Sequence, residues 1–156
     1  MNKYIKLLLF ILVCEGIGIL GSVFTISEIS TWYAFLNKPF FSPPNWVFGP
    51  VWTTLYALMG VSIFLVLETK LKKKERNSFI ILFSLQLFLN FLWSILFFGM
   101  HLPLIAFIDI VALWTVIFIL SIKFFEFSKS ASYLLVPYIL WVSLASLLNF
   151  SVVLLN

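Results

Sequence analysis

One cysteine, one histidine and six acidic residues are almost all that this 156-residue chain offers for polar chemistry. A lone thiol, Cys14, excludes an internal disulfide, and with His101 as the single imidazole it leaves no metal-ligand cluster. No paired carboxylates or activated nucleophile can be assembled from so short a supply, so conventional hydrolytic or transfer catalysis has no machinery here. Charged residues are scarce too, at 10% against 63% hydrophobic, and the mean hydropathy is +1.14. Such a chain cannot cover a water-soluble surface with polar groups, and it reads as an integral membrane protein. The net charge of +4 could suggest nucleic acid, but the cations are distributed as topology signals instead, so no nucleic-acid partner is expected.

What the chain has in abundance is long apolar runs. Five are expected to form helices, at about 4–26, 46–68, 79–99, 104–125 and 133–155. Each is near the roughly 20 residues that cross about 30 Å of hydrocarbon. The expected architecture is an all-α five-transmembrane-helix bundle with a long Pro/Trp-rich first loop and no soluble domain. Lys3, Lys6 and LLLFILVC imitate the start of a signal peptide, yet Glu15 comes next and no small-x-small cleavage site appears, so the first run reads as a retained helix. On that helix Cys14, Gly18 and Ser22 recur every four residues, with Gly21 beside them, giving a small face for close helix packing within the chain or across a dimer seam.

With five spans, nine of the ten Lys and Arg residues share one face: Lys3, Lys6, Lys70, Lys72, Lys73, Lys74, Arg76, Lys123 and Lys129. Only Lys38 lies opposite, on the first loop. The positive-inside rule then puts the N-terminus in the cytoplasm, with the loop and the C-terminus outside, and a bacterial plasma membrane is the expected location. Segment TKLKKKERNS, between the second and third runs, reads as a cytoplasmic anchor, although basic runs also attract anionic lipid.

The long interruption between apolar runs is WYAFLNKPFFSPPNWVFGPVWTTLYALMG, from Trp32 to Gly60. Pro43 and Pro44 forbid a helix through themselves, Asn45 can cap the second helix, and that helix begins at Trp46 or at Pro50. Indoles on a proline-braced loop suit a lid over a cavity, because little ordering entropy remains to be lost on binding. They equally suit an aromatic belt at headgroup depth. Within the spans, Gln86, Asn90 and Trp93 share one side of the third helix, Asp109 lies about six residues from the loop face, and Trp141, Ala145 and Asn149 are spaced by four on the fifth. Pro137 can kink that last helix. Intramembrane polar groups face a bundle interior or a cavity. Here they either line a pocket or form interhelical bonds among Asn90, Asp109 and Asn149. Glu15 is a proton-linked cation site or a carboxyl bonded to a neighbouring helix, and His101 is a tetrapyrrole partner or a plain interfacial residue.

These motifs, in this order, resemble the translocator protein family, also called the tryptophan-rich sensory protein or peripheral-type benzodiazepine receptor family. The segments that carry the likeness are the Trp32–Gly60 stretch, QLFLNFLWSILFF from Gln86, the Asp109 segment, and PYILWVSLASLLN from Pro137 to Asn149. The resemblance implies a bacterial member, commonly a homodimer, that binds porphyrins such as protoporphyrin IX, and lipophilic drug-like ligands, in a pocket beneath the first loop. It places that pocket on Trp32, Trp46, Trp52, Tyr56, Asn90, Trp93, Trp141, Ala145 and Asn149. It also implies light-dependent porphyrin degradation in some bacterial members, with Trp52 and Trp141 as photochemical residues. The protein would then need no cofactor and no metal; the porphyrin is the ligand, and membrane lipid the other partner. Its propionates need cations, and on the loop face only Lys38 and His101 provide any. The animal sterol motif is missing, since LNFSVVLLN carries Phe150 but no Arg or Lys. Two other functions fit the same residues: a transporter of porphyrins or lipophilic cations using Glu15 or Asp109 as a proton-linked site, and a dimeric regulatory protein whose pocket is filled by lipid.

Overall fold

The computed structural model describes residues 2–156, and apolar helices dominate it. Helix α1 spans Lys3–Ile29, capped by the Asn2 carboxamide, which accepts from the Tyr4 N–H at 3.0 Å. A four-residue turn, α2 (Trp32–Phe35), interrupts the first loop. Helix α3 covers Asn45–Leu67, α4 covers Lys73–Ser94, and a π-helical turn at Ile95–Gly99 finishes the third span. Helix α5 runs Pro103–Phe127, then α6 (Lys129–Leu134) and α7 (Val136–Leu155) together make the fifth. Five segments are therefore long and apolar enough to cross a membrane.

The differences from expectation lie at the helix ends. Hydropathy marks where hydrocarbon begins, whereas helical hydrogen bonding continues into the headgroup layer. The third span accordingly begins at Lys73 rather than Phe79, and the fifth at Lys129 rather than Tyr133. Ser128 starts the latter by accepting the Ala131 N–H at 3.2 Å. The last span breaks at Leu135, just before Pro137, because proline supplies no N–H and tolerates only the first helical turn. Asn45 is the first residue of α3 and not its cap; Pro44, with extended ψ, is the cap residue.

The helices form a closed ring in which α1 packs on α3 and α4, α4 on α5, α5 on α7, and α3 on α6. Close approach of α1 to α3 depends on Gly60: a Cβ there would stand 2.6 Å from the Ile11 Cα. The small face of α1 packs inside the chain, with Cys14 and Gly21 buried, Gly18 against the Tyr56 ring and Gly21 against Ser94. The half of the bundle nearer the basic end is solid, filled by Met59, Ile63, Phe79, Leu113, Phe124 and Tyr138. Ser62 and Ser132 tie it across helices, donating to Ala131 O at 2.6 Å and Ser121 O at 2.7 Å. In the half beneath the first loop, a smaller cluster of Tyr33, Phe97, Phe98, Ala106 and Val152 leaves space beside it.

Candidate functional site

That space is a cavity of about 310 Å³. Three helical faces wall it. From α3 come Asn45, Phe48, Gly49, Trp52, Thr53 and Tyr56, a run of alternating three- and one-residue steps that is one stripe of an α-helix. From α1 come Glu15, Gly18, Ser22, Thr25 and Ile29 on a matching stripe, and from α7 Trp141, Ala145, Leu148, Asn149 and Val152. Trp93, Ser94, Phe97 and Phe98 close the α4 side, and Tyr33 closes the loop side. The π turn presents those phenylalanines: the Met100 N–H bonds to Ile95 O, five residues back, at 2.8 Å. The extra residue in the turn shifts Phe97 and Phe98 round relative to an α-helix. Phe97, one turn after Trp93, stacks on it at 5.1 Å.

Six of the nine residues expected in a pocket line this cavity: Trp52, Tyr56, Trp93, Trp141, Ala145 and Asn149. Three lie elsewhere. Trp46 is 75% exposed at the start of α3, because six residues of 3.6-residue helix turn it about 120° away from Trp52. Trp32 stacks on the His101 ring at 4.3 Å and meets Phe97 edge-on at 5.4 Å, outside the cavity wall. Asn90 is one shell behind, where it accepts from the Tyr56 hydroxyl at 2.6 Å and donates to the Tyr138 hydroxyl at 2.8 Å. Tyr138 in turn donates to Gln86 at 2.9 Å, so α3, α4 and α7 share one buried polar chain. Asn149 accepts from the Trp93 indole at 2.9 Å and donates to Pro103 O at 2.7 Å. The interhelical bonds expected among Asn90, Asp109 and Asn149 are thus replaced by bonds to aromatic side chains and backbone. Asp109 Oδ2 is buried without a partner among the described residues.

The two loop-face cations are both engaged. Lys38 Nζ donates to Tyr33 O at 2.7 Å and Leu36 O at 3.2 Å, closing the loop on itself. His101 Nε2 lies 3.0 Å from Glu28 Oε2. Its φ of 56° is the one positive value at a non-glycine among the described residues, at the turn between the third and fourth spans. Neither side chain lines the cavity. The only charged residue type on its wall is Glu15, and no hydrogen bond reaches that carboxyl among the described residues. The α3 periodicity would have identified Phe48 and Thr53, and on α1 the three-residue steps back from Gly18 and on from Ser22 reach Glu15 and Thr25. Phe97 likewise continues the Gln86, Asn90 and Trp93 side by four residues, whereas Phe98, one residue further on, carried no such signal.

The wall residues that are also exposed are Ile19 and Ile26 of α1 and Asn45, Gly49 and Thr53 of α3. The cavity therefore opens through the α1–α3 seam, under a loop whose middle is pinned by Asn37 and Asn156.

The fold and cavity define a class: a polytopic helical membrane protein whose spans enclose an aromatic chamber beneath an extramembrane loop. Residues 10–155 match the TspO/MBR family, and the chain belongs to it. It is 48% identical to the Tryptophan-rich protein TspO of Chlorobaculum tepidum, with 100% of this chain and 99% of that one covered. It is 47% identical to the protein of the same name from Archaeoglobus fulgidus, with 97% of each covered. The Translocator protein of Ovis aries is 35% identical over 90% of this chain and 84% of its own.

Proposed function

We propose that this protein is a membrane receptor or sensor for planar lipophilic ligands, with porphyrins of the protoporphyrin type as its main class. The observation that carries this reading is the convergence of Trp52, Tyr56, Trp93, Phe97 and Trp141, from three spans, on one cavity open to the bilayer. Flat conjugated ligands gain from offset and edge-to-face contact with such rings. The Trp141 Nε1 is buried and has no partner among the described residues, so a ligand acceptor would satisfy it. At about 310 Å³ the cavity is at the small end of the range of roughly 300–1,000 Å³ for drug-sized ligands. A tetrapyrrole therefore enters only if the α1–α3 seam or the loop gives way, with its propionates left toward water. Orientation by the protein and chemistry by the pigment and oxygen would together account for light-dependent degradation, with Trp52 and Trp141 as the indoles in contact. Names of relatives such as the Tryptophan-rich sensory protein of Cereibacter sphaeroides support a sensing role. The basic end of the bundle then faces the cytoplasm of a bacterial plasma membrane, consistent with nine of ten cations lying there.

The test is titration of the purified protein with protoporphyrin IX, following tryptophan quenching in the dark and pigment loss in light. Affinity and photostability unchanged in both Trp52→Phe and Trp141→Phe would overturn the proposal.

A second reading has its own observation. Glu15 places a carboxyl on an otherwise neutral wall, which suits a lipophilic amine more than an anion. Proton-dependent uptake of such an amine into vesicles, abolished by Glu15→Gln, would favour transport; uptake insensitive to that change would remove it.

A further inference from the structure

The basic end of the bundle carries a second concavity, unrelated to the aromatic chamber. It is a broad open groove of about 850 Å³ between the first turns of α4 and the last turns of α5. Lys73, Lys74 and Lys123 line the end of it nearer the helix termini, and Ile81, Leu82 and Ile119 line the end one to two turns further along the helices. We propose that this groove is a binding site for an anionic phospholipid, with the headgroup phosphate held by the three lysines and acyl chain lying on the three aliphatic residues.

Three features support that occupant over a merely solvated basic edge. The first is that, among the described residues, these lysines have no ion-pair or ring partner. Elsewhere on this end Lys6 pairs with Glu68 at 3.2 Å, Arg76 donates to Leu67 O at 3.0 Å, and Lys129 lies over the Phe125 ring at 5.6 Å. Among the described residues, no carboxylate and no ring engages Lys73, Lys74 or Lys123. No acidic residue lines the groove, so an anion meets three cations with no opposing charge.

The second feature is the order of the chemistry along the groove. Lys74, Ser78 and Ile81 lie on one face of α4, and Ile119 and Lys123 on the facing side of α5. At 1.5 Å per residue the step from Lys74 to Ile81 is about 10 Å, which carries the site from headgroup depth to the first carbons of the acyl chain. A soluble phosphate would use only the upper part. A phospholipid uses both, with the Asn77 and Ser78 side chains offering further donors between cation and hydrocarbon.

The third is that the cations come from two spans. A surface anchor needs only a count of charges, whereas a groove built by α4 and α5 together discriminates between lipids, as basic pockets between transmembrane helices do. Binding there would brace α4 against α5 on the side of the bundle opposite the loop.

Native mass spectrometry of the detergent-solubilised protein would test this with phosphatidylglycerol, phosphatidylcholine and glycerol 3-phosphate as probes. Retention of phosphatidylglycerol over phosphatidylcholine is expected, and Lys74→Gln/Lys123→Gln should weaken it by about tenfold or more, the effect of two basic side chains at a membrane surface. The charge-matched control Lys3→Gln/Lys70→Gln should leave it unchanged, and Asn77→Asp, which retains all three lysines, should weaken it. Equal retention of the two lipids, or equal loss in the two double variants, would overturn the proposal. Full competition by glycerol 3-phosphate at comparable concentration would also overturn it, by showing a site for phosphate alone.

Discussion

Tryptophans that look interchangeable in the sequence differ sharply in their surroundings. Trp52 meets Tyr56 at 5.7 Å on the cavity wall and Tyr138 at 6.3 Å behind it, and Phe48 meets Trp141 at 5.8 Å across the cavity rim, while Trp46 is 75% exposed. Aromatic pairs contribute about 0.5–1.5 kcal/mol beyond area burial, so Trp52→Phe and Trp141→Phe should each weaken porphyrin binding by roughly two- to tenfold. Trp46→Phe should leave the quenching titration within error of the parent. Behind that wall, Asn90 serves two hydroxyls at once. Replacing it with Ala strands both Tyr56 and Tyr138 inside the bundle, and interhelical bonds of this kind are worth about 0.6–2 kcal/mol in membranes. Asn90→Ala should therefore lower the midpoint of thermal unfolding in detergent, and Asn90→Asp should restore part of it only if the carboxyl can still accept from Tyr56.

At the scale of elements, α1 and α3 are joined near the basic end and parted near the loop. Gly60 makes the join, since any side chain there meets the Ile11 backbone rather than a movable side-chain tip. Gly60→Ala should cost stability on the order of 1–3 kcal/mol through overpacking. Gly16→Ala should be neutral or slightly stabilising, because nothing lies within 4 Å of its missing Cβ and alanine is the better helix former. Gly49 is likewise open, but it stands at the seam through which the cavity meets lipid. A bulky residue there, as in Gly49→Phe, should slow porphyrin association in stopped-flow quenching while leaving thermal stability close to the parent.

Across the whole molecule, the first loop closes the chamber by being fastened at two points. Lys38 holds its α2 side, and Asn156 holds the middle: the Asn37 N–H donates to Asn156 Oδ1 at 2.9 Å, and Asn156 Nδ2 donates to Asn37 O at 3.1 Å. These bonds connect the first loop to the last helix, 119 residues apart in the chain. Asn156→Ala should free that clasp, which would appear as faster ligand dissociation and faster protease cleavage between Leu36 and Pro44. Unchanged rates would mean that Lys38 and the Tyr33 packing suffice to hold the loop.

Hydropathy and charge are local properties of the chain, and they alone determined the membrane class, the count of five spans and the gathering of cations at one end. The same holds for the small face of α1, whose four-residue spacing announced close packing before any partner was known. Burial of Trp52 and exposure of Trp46 were not legible in that way, since each helix can rotate about its axis with the same apolar content. Only neighbouring helices fix that rotation: Gly18 against the Tyr56 ring and Phe48 against Trp141 do it for α3. The π turn that ends the third span, the hydrogen-bond chain from Tyr56 to Gln86, and the capture of Lys38 by loop carbonyls are likewise tertiary decisions. They depend on which groups meet across helices, and a polar side chain in hydrocarbon bonds to whichever partner the packing brings within reach.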